Sequence, residues 1–245
     1  MLTDSLHYEI CVMLSFSKKY FNDLLHLFYP HNCEGCGSDI LYDNQFLCAR
    51  CLHRLPETGF FSKAGNPIEK LFYGRGDITY AGAGYYFTKD SLLQHLLIQL
   101  KYKGNKEAGR FLGRMMGHTF LQSGRFDTID VMIPLPLNNK KEYTRGYNQA
   151  TVICEGINEV WHRPILKQSV TRIKFTETQT QQNRVSRWQN MEGVFQVAQP
   201  SDLENRHILL VDDVITTGAT LEACGSAILE ISGTSLSIAA AAYTI

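Results

Sequence analysis

The chain has 245 residues, 24 Lys plus Arg against 24 Asp plus Glu, and 44% hydrophobic residues. That balance excludes a whole-molecule field pulling the protein onto nucleic acid or a membrane, so any such contact must be a local patch. The length accommodates a full domain with a small appended module.

In chain order, Ile10 to Leu14 is apolar but too short to cross a bilayer, and the residues before it lack the basic flank of a secretory signal. The expectation is a cytoplasmic protein without a membrane span. Ser15 or Ser17 can cap a helix through Phe28, whose Tyr20, Phe21, Leu24, Leu25, Leu27 and Phe28 form an apolar face before Pro30. Packing on the next module is the first use of that face, and docking to a membrane or partner the second. Cys33, Cys36, Cys48 and Cys51 form two Cys-x-x-Cys pairs separated by eleven residues. Two such pairs on tight turns suit a tetrahedral, structural Zn²⁺ site, and the metal would supply the folding free energy that so small a segment cannot draw from its own core. A disulfide or redox pair is the competing reading, for which the sequence offers no oxidising compartment. Cys11, Cys154 and Cys224 read as small core residues.

Residues 1–56 are therefore expected to form an N-terminal helix and zinc module. Residues 57–77, rich in glycine, containing Pro67 and following Pro56, are expected to be a connector. Residues 78–245 are expected to form an α/β domain with an open, mainly parallel sheet flanked by helices. Its elements are a strand or hairpin over Ile78–Phe87, a helix capped at Asp90 or Ser91 through Tyr102, and a helix over about Glu107–Leu121. A strand over Asp130–Leu135 leads through an irregular polar loop to a helix over Gly146–Trp161. Strands follow at Ile165–Val170 and Val194–Val197. Residues 163–187 hold six Lys or Arg against the single acid Glu177, with few apolar residues, which describes an exposed loop.

The run from His207 to Leu221 carries the most chemistry. Ile208–Val211 reads as a buried parallel strand, and Ala219–Ile231 as a helix, before a last strand over Ser235–Tyr243. Between strand and helix stand Asp212 and Asp213, then Thr216-Thr217-Gly218-Ala219-Thr220. Adjacent carboxylates at a strand end need cations or hydroxyl donors, and a hydroxyl-rich turn at a helix N-terminus favours an anion. Together they describe a phosphate-and-sugar site. No Lys follows the Gly, which excludes a Walker-type loop.

Val211 to Thr220 resembles the signature of type I phosphoribosyltransferases, which bind phosphoribosyl pyrophosphate (PRPP). The resemblance implies that Asp212 and Asp213 bind the ribose hydroxyls, and that Thr216, Thr217, Gly218, Ala219 and Thr220 surround the 5-phosphate. It also implies Mg²⁺ bridging pyrophosphate and sugar oxygens. Arg145-Gly146-Tyr147-Asn148-Gln149 after the Pro134-Leu135-Pro136 strand end is similar to the signature of the ComF family (competence protein F, also called the GntX-like, amidophosphoribosyltransferase-like group). The four-cysteine module, Leu100-Lys101-Tyr102-Lys103-Gly104, and the string Arg172, Thr176, Gln179, Arg187, Asn190, Gly193 and Phe195 agree with it.

The family resemblance implies Mg²⁺-dependent PRPP binding with phosphoribosyl transfer to an unknown acceptor, serving DNA uptake in natural competence, peripherally at the inner membrane. By that analogy the segment Pro134–Arg145 holds pyrophosphate, Asp212, Asp213 and Arg145 act catalytically, and Lys101 contacts PRPP. Arg145, Lys103, Arg172 and Lys174 are candidate pyrophosphate or nucleic-acid contacts. Thr176–Asn183 is a candidate closing loop. Two further readings stay open: an accessory that handles single-stranded DNA together with the uptake machinery, and a PRPP-sensing scaffold without turnover. The acceptor and the oligomeric state are not legible.

Overall fold

The computed structural model describes residues 32–39, 45–173 and 193–244. The expected N-terminal helix, Lys174 and the candidate closing loop Thr176–Asn183 lie outside the described residues. The chain divides into two units, Met1–His53 and Arg54–Ile245.

In the first unit a tight turn follows Cys33. The Gly37 N–H donates to the Cys33 carbonyl at 2.8 Å and the Cys33 N–H to the Ser38 carbonyl at 2.8 Å. Gly37 closes this turn with φ of 70°, a conformation that suits glycine. The short helix α1 (Ala49–His53) carries Cys51.

The second unit contains helices α2 (Pro67–Leu71), α3 (Leu92–Tyr102), α4 (Lys106–Ser123), α5 (Asn139–Arg145), α6 (Gln149–Trp161) and α7 (Ala219–Leu229). Its strands are β1 (Ile78–Phe87), β2 (Val131–Pro134), β3 (Val170–Arg172), β4 (Phe195–Val197), β5 (His207–Ile215) and β6 (Ser235–Thr244). Four of them form one parallel sheet in the order β1-β6-β5-β2. β5 pairs with β6 from His207↔Ser235 to Ile215↔Tyr243, and with β2 from Ile208↔Val131 to Val211↔Pro134. This is the α/β architecture expected from strands alternating with helices.

Polar caps start the helices, at Ser91 as expected for α3 but at Asn148 rather than Gly146 for α6, because Gly146 ends α5. Ser91 Oγ accepts from the Gln94 N–H at 3.1 Å at the start of α3, and Asn148 Oδ1 accepts from the Ala150 N–H at 2.9 Å at the start of α6, each satisfying a backbone donor that the helix leaves open. α4 and α6 pack backbone to backbone. A Cβ on Gly113 would come 2.2 Å from the Ile153 carbonyl oxygen, and one on Gly156 would come 2.2 Å from that of Arg110. Only glycine permits that approach.

Three expectations change. The 57–77 segment is not a loose connector: the division falls after His53, and Phe60, Phe61, Ile68 and Phe72 are buried. Asn66 fixes it, donating to the carbonyls of Phe60, Lys63 and Ala81 at 3.2, 3.0 and 2.8 Å, and accepting from the Ile68 and Glu69 N–H groups at 2.9 and 3.1 Å. The loop after β2 contains a helix, α5, capped by Asn138 and ended by Gly146 at φ 75°. The expected strand over Ile165–Val170 is a single parallel bridge, Ile165 to Met132, followed by β3, which pairs with β4 in a separate antiparallel ribbon.

Candidate functional site

The carboxyl end of β5 is where buried strand turns polar. Ile208 to Val211 are fully buried, whereas Asp212 and Asp213 are only partly so. Ligands of open α/β sheets bind beyond such strand ends. The Asp213 N–H donates to Asp212 Oδ1 at 2.7 Å, and Lys101 Nζ, from the last turn of α3, lies 2.9 Å from Asp213 Oδ1. Burial, and then the charge of Asp213, push the Asp212 carboxyl up to about 7; the Asp213 N–H and Lys101 oppose the shift. The pair therefore carries less than its full formal charge near neutrality, because two adjacent carboxylates with one ammonium cannot both ionise freely. The buried Cys224 thiol of α7 is raised by burial and by the charge of Asp212, so it behaves as a packing residue rather than a thiolate.

Beyond the acids, Thr216 and Thr217 are exposed, Gly218 is buried, and Ala219 and Thr220 begin α7. Gly218 has φ of 73°, and a Cβ there would lie 2.9 Å from the Phe72 ring, so both backbone and space require glycine. No side chain caps α7. Among the described residues the N–H groups of Thr217, Gly218 and Thr220 have no acceptor, and the Ala219 N–H has only a long 3.5 Å contact with Thr217 Oγ1. Open donors at a helix start, where the macrodipole is positive, can hold a phosphate-sized anion.

The segment following β2 reaches the same end of the sheet. The Leu135 N–H donates to the Val211 carbonyl at 2.8 Å, and Asn148 Nδ2 donates to the Leu135 carbonyl at 2.9 Å. Arg145 Nη1 donates to Gln149 Oε1 at 2.7 Å, and its guanidinium lies 5.4 Å from the centre of the Tyr102 ring. The Tyr147 hydroxyl donates to the Leu100 carbonyl. Through these contacts the 145–149 turn is tied to the end of α3 that also provides Lys101.

Lys103 does not join this group. It is the exposed C-cap of α3, its N–H donating to the Gln99 carbonyl at 3.2 Å. Arg172 sits in β3 with its guanidinium 5.5 Å from the Phe195 ring centre. With Lys106, Arg110, Lys167 and Tyr147 it lines a separate cavity of about 590 Å³ that includes neither the acid pair nor the threonine turn. Two of those cations are already engaged by Glu155, Arg110 at 3.5 Å and Lys167 at 2.7 Å.

Arg75 and Phe72 were not legible as site residues. Phe72 backs the threonine turn, while Arg75 Nη1 donates to the Thr217 carbonyl at 3.3 Å and lies 3.6 Å from Glu222 Oε2. The only local signal at Arg75 is a cation between two glycines, and its partner is 142 residues away.

In the first unit the sulfurs of Cys33, Cys36, Cys48 and Cys51 all lie within 4.8 Å of one another, and those of Cys36 and Cys48 are 3.8 Å apart. A tetrahedron with Zn–S bonds of about 2.3 Å has edges of about 3.8 Å, so the donor set fits a single ion. All four cysteines are free thiols. Burial opposes ionisation at Cys33, but the N–H groups of Cys48, Gly35 and Cys36 outweigh it and hold that thiol low. Cys51 is held high by burial and by its thiol neighbours. Four thiolates this close would repel one another unless a cation sat between them.

Residues 148–244 match the model of the phosphoribosyl transferase domain. Competence protein F of Haemophilus influenzae is 29% identical over 194 residues, covering 79% of this chain and 76% of that protein. DNA utilization protein YhgH of Escherichia coli O157:H7 is 28% identical over 192 residues, covering 77% and 74%. Among solved structures, the glutamine PRPP amidotransferase of Bacillus subtilis aligns with a TM-score of 0.40 at 18% identity, over 56% of this chain and 26% of that one.

Proposed function

We propose that the chain acts as a ComF-family phosphoribosyltransferase, which binds PRPP with Mg²⁺ and transfers its phosphoribosyl group to an acceptor nitrogen; its relatives and its matched domain support this reading. One observation carries the reading: Asp212 and Asp213 stand near the carboxyl end of β5, separated by Val214 and Ile215 from an uncapped threonine turn with open backbone donors. The carboxylates hold the ribose hydroxyls. The N–H groups and hydroxyls of Thr216 to Thr220 hold the 5-phosphate. Lys101 and Arg145 supply positive charge on the side where pyrophosphate lies, and Arg145 exchanges its Gln149 contact for phosphate oxygens, which suit its planar fork. Mg²⁺, bound with the ligand, offsets the charge of the pyrophosphate.

In the transfer, the acceptor nitrogen's lone pair forms a bond to C1 while the C1–O bond breaks, its electrons leaving with pyrophosphate; the acceptor then gives up a proton. C1 becomes electron-poor on the way, and fixed carboxylates on the sugar side stabilise that state more than the ground state. Pyrophosphate release from PRPP, measured across a panel of amines and nucleobases, tests this: release with at least one acceptor supports transfer, while saturable PRPP binding with no release supports a sensing scaffold.

A second reading is favoured by the names of the relatives and by the cluster of Lys106, Arg110, Lys167 and Arg172 at one cavity. In it the chain handles single-stranded DNA for the uptake machinery in natural competence, on the cytoplasmic side of the inner membrane, with Arg172, Lys174 and Lys103 as phosphate contacts. No helix among the described residues is long and apolar enough to cross a membrane. Binding of single-stranded DNA that weakens steeply with salt and with Arg172→Ala supports this reading; its absence at low salt removes it. In either reading the four cysteines hold one structural Zn²⁺, supported by the convergence of their sulfurs.

A further inference from the structure

Arg75 belongs to no motif. It leaves the turn after α2, where its N–H donates to the Phe72 carbonyl at 3.0 Å, and the same turn presses Leu71 and Phe72 against Gly218, to which an added Cβ would come within 3.2 and 2.9 Å of their side chains. The guanidinium then reaches the Thr217 carbonyl at 3.3 Å and Glu222 at 3.6 Å. The peptide joining Thr217 and Gly218 is trans, since the described chain has no cis bond, and in a trans peptide the carbonyl and the following N–H point in opposite directions. A hydrogen bond that fixes the Thr217 carbonyl toward Arg75 therefore fixes the Gly218 N–H away from it. That N–H is one of the donors with no acceptor among the described residues.

We propose that Arg75 is a positioning residue for the 5-phosphate: by holding the Thr217 carbonyl it orients the Gly218 N–H, and the turn after α2 thereby sets the shape of a phosphate cradle built 142 residues later in the chain. This role rests on the reading of the threonine turn as a phosphate site. It is specific to one end of the ligand, because the Gly218 amide meets the 5-phosphate and not the pyrophosphate. It also differs from simple neutralisation of Glu222, which would serve any anion near the start of α7.

Calorimetric titration of the full chain with ribose 5-phosphate, with pyrophosphate and with PRPP plus Mg²⁺ separates these roles. In Arg75→Ala, affinity for ribose 5-phosphate and for PRPP falls about tenfold and by the same factor, affinity for pyrophosphate is unchanged, and thermal unfolding matches the wild type. The double variant Arg75→Ala with Glu222→Gln remains as weak as Arg75→Ala, because removing the acid does not restore the carbonyl's partner. Recovery of wild-type affinity in the double variant would overturn the positioning role and leave Arg75 as a counter-ion for Glu222. Unchanged ribose 5-phosphate affinity in Arg75→Ala would overturn it as well. A wild-type chain that binds neither ribose 5-phosphate nor PRPP sinks the phosphate reading itself, whereas PRPP binding indifferent to Arg75 sinks only this inference.

Discussion

The four-cysteine unit and the sheet unit solve the problem of close like groups in opposite ways. Around Cys33, Cys36, Cys48 and Cys51 the described chain is short, two of the four sulfur-bearing residues are buried, and thiols gather within 4.8 Å where only a shared cation stabilises them all as thiolates. At the end of β5 two carboxylates are adjacent, but a buried sheet holds them in place and Lys101 already satisfies one. On the proposed reading the first unit would draw its structure from an ion, while the second has its structure first and keeps open donors for a ligand.

The largest effect should come from breaking the first half of that contrast. Replacing Cys33 and Cys36 together with Ser should abolish binding of one Zn²⁺ per chain, a loss on the order of 10 kcal/mol of metal-linked folding free energy, and leave the main thermal transition of the second unit in place. Metal content by atomic absorption alongside calorimetry checks both; a metal-free wild-type protein whose first unit is still ordered would erase the distinction.

Within the second unit, the site's geometry depends on packing that has nothing to do with ions. Gly113→Ala forces a methyl against the Ile153 carbonyl and should lower stability by about 3 kcal/mol in chemical denaturation. A shift below ~1 kcal/mol would mean that α4 and α6 can separate freely. A smaller effect is expected at Lys101→Ala: PRPP affinity falls about tenfold, the worth of one charge-assisted hydrogen bond, with little change in unfolding.

The pH responses are the finest test, because Asp212 and His207 act in opposite senses. Asp212, raised to about 7, retains a proton in the folded state that the unfolded chain has lost. Its contribution favours folding below the ordinary carboxylate range relative to neutral pH, and stability falls as pH rises from about 4 toward 7. His207 is lowered by burial, partly offset by the charge of Asp130. It must gain a proton on unfolding below its ordinary pKa, so its contribution is complete above about 6.5 and is lost as pH falls. Denaturation at several pH values should show Asp212→Asn removing the decline toward neutrality and His207→Gln removing part of the acid-side loss. The opposite pattern would reverse both assignments.

How much of this was legible depends on where the physical signal lies. Ile208–Val211 is apolar without interruption, and a buried parallel strand is the straightforward consequence; Ser91 before a leucine-rich period marks the start of α3. The cysteine spacing placed four sulfurs together without help from the rest of the fold. α5 was missed because Asn139 to Arg145 offers no apolar stripe, although Asn138 and Gly146 are ordinary start and stop signals. The 57–77 segment resembled a linker because its anchor, Asn66, is polar, and a buried amide with five backbone partners cannot be told from a turn residue by composition. Arg75 was invisible for a different reason: its meaning is a long-range contact with Thr217.

The most direct measurement is calorimetric titration of PRPP with Mg²⁺ into the wild type and into Asp213→Ala. The account predicts saturable binding by the wild type, at least a tenfold loss in the variant, and the same unfolding temperature for both. Equal affinity in the two proteins, or no binding by the wild type, would contradict it.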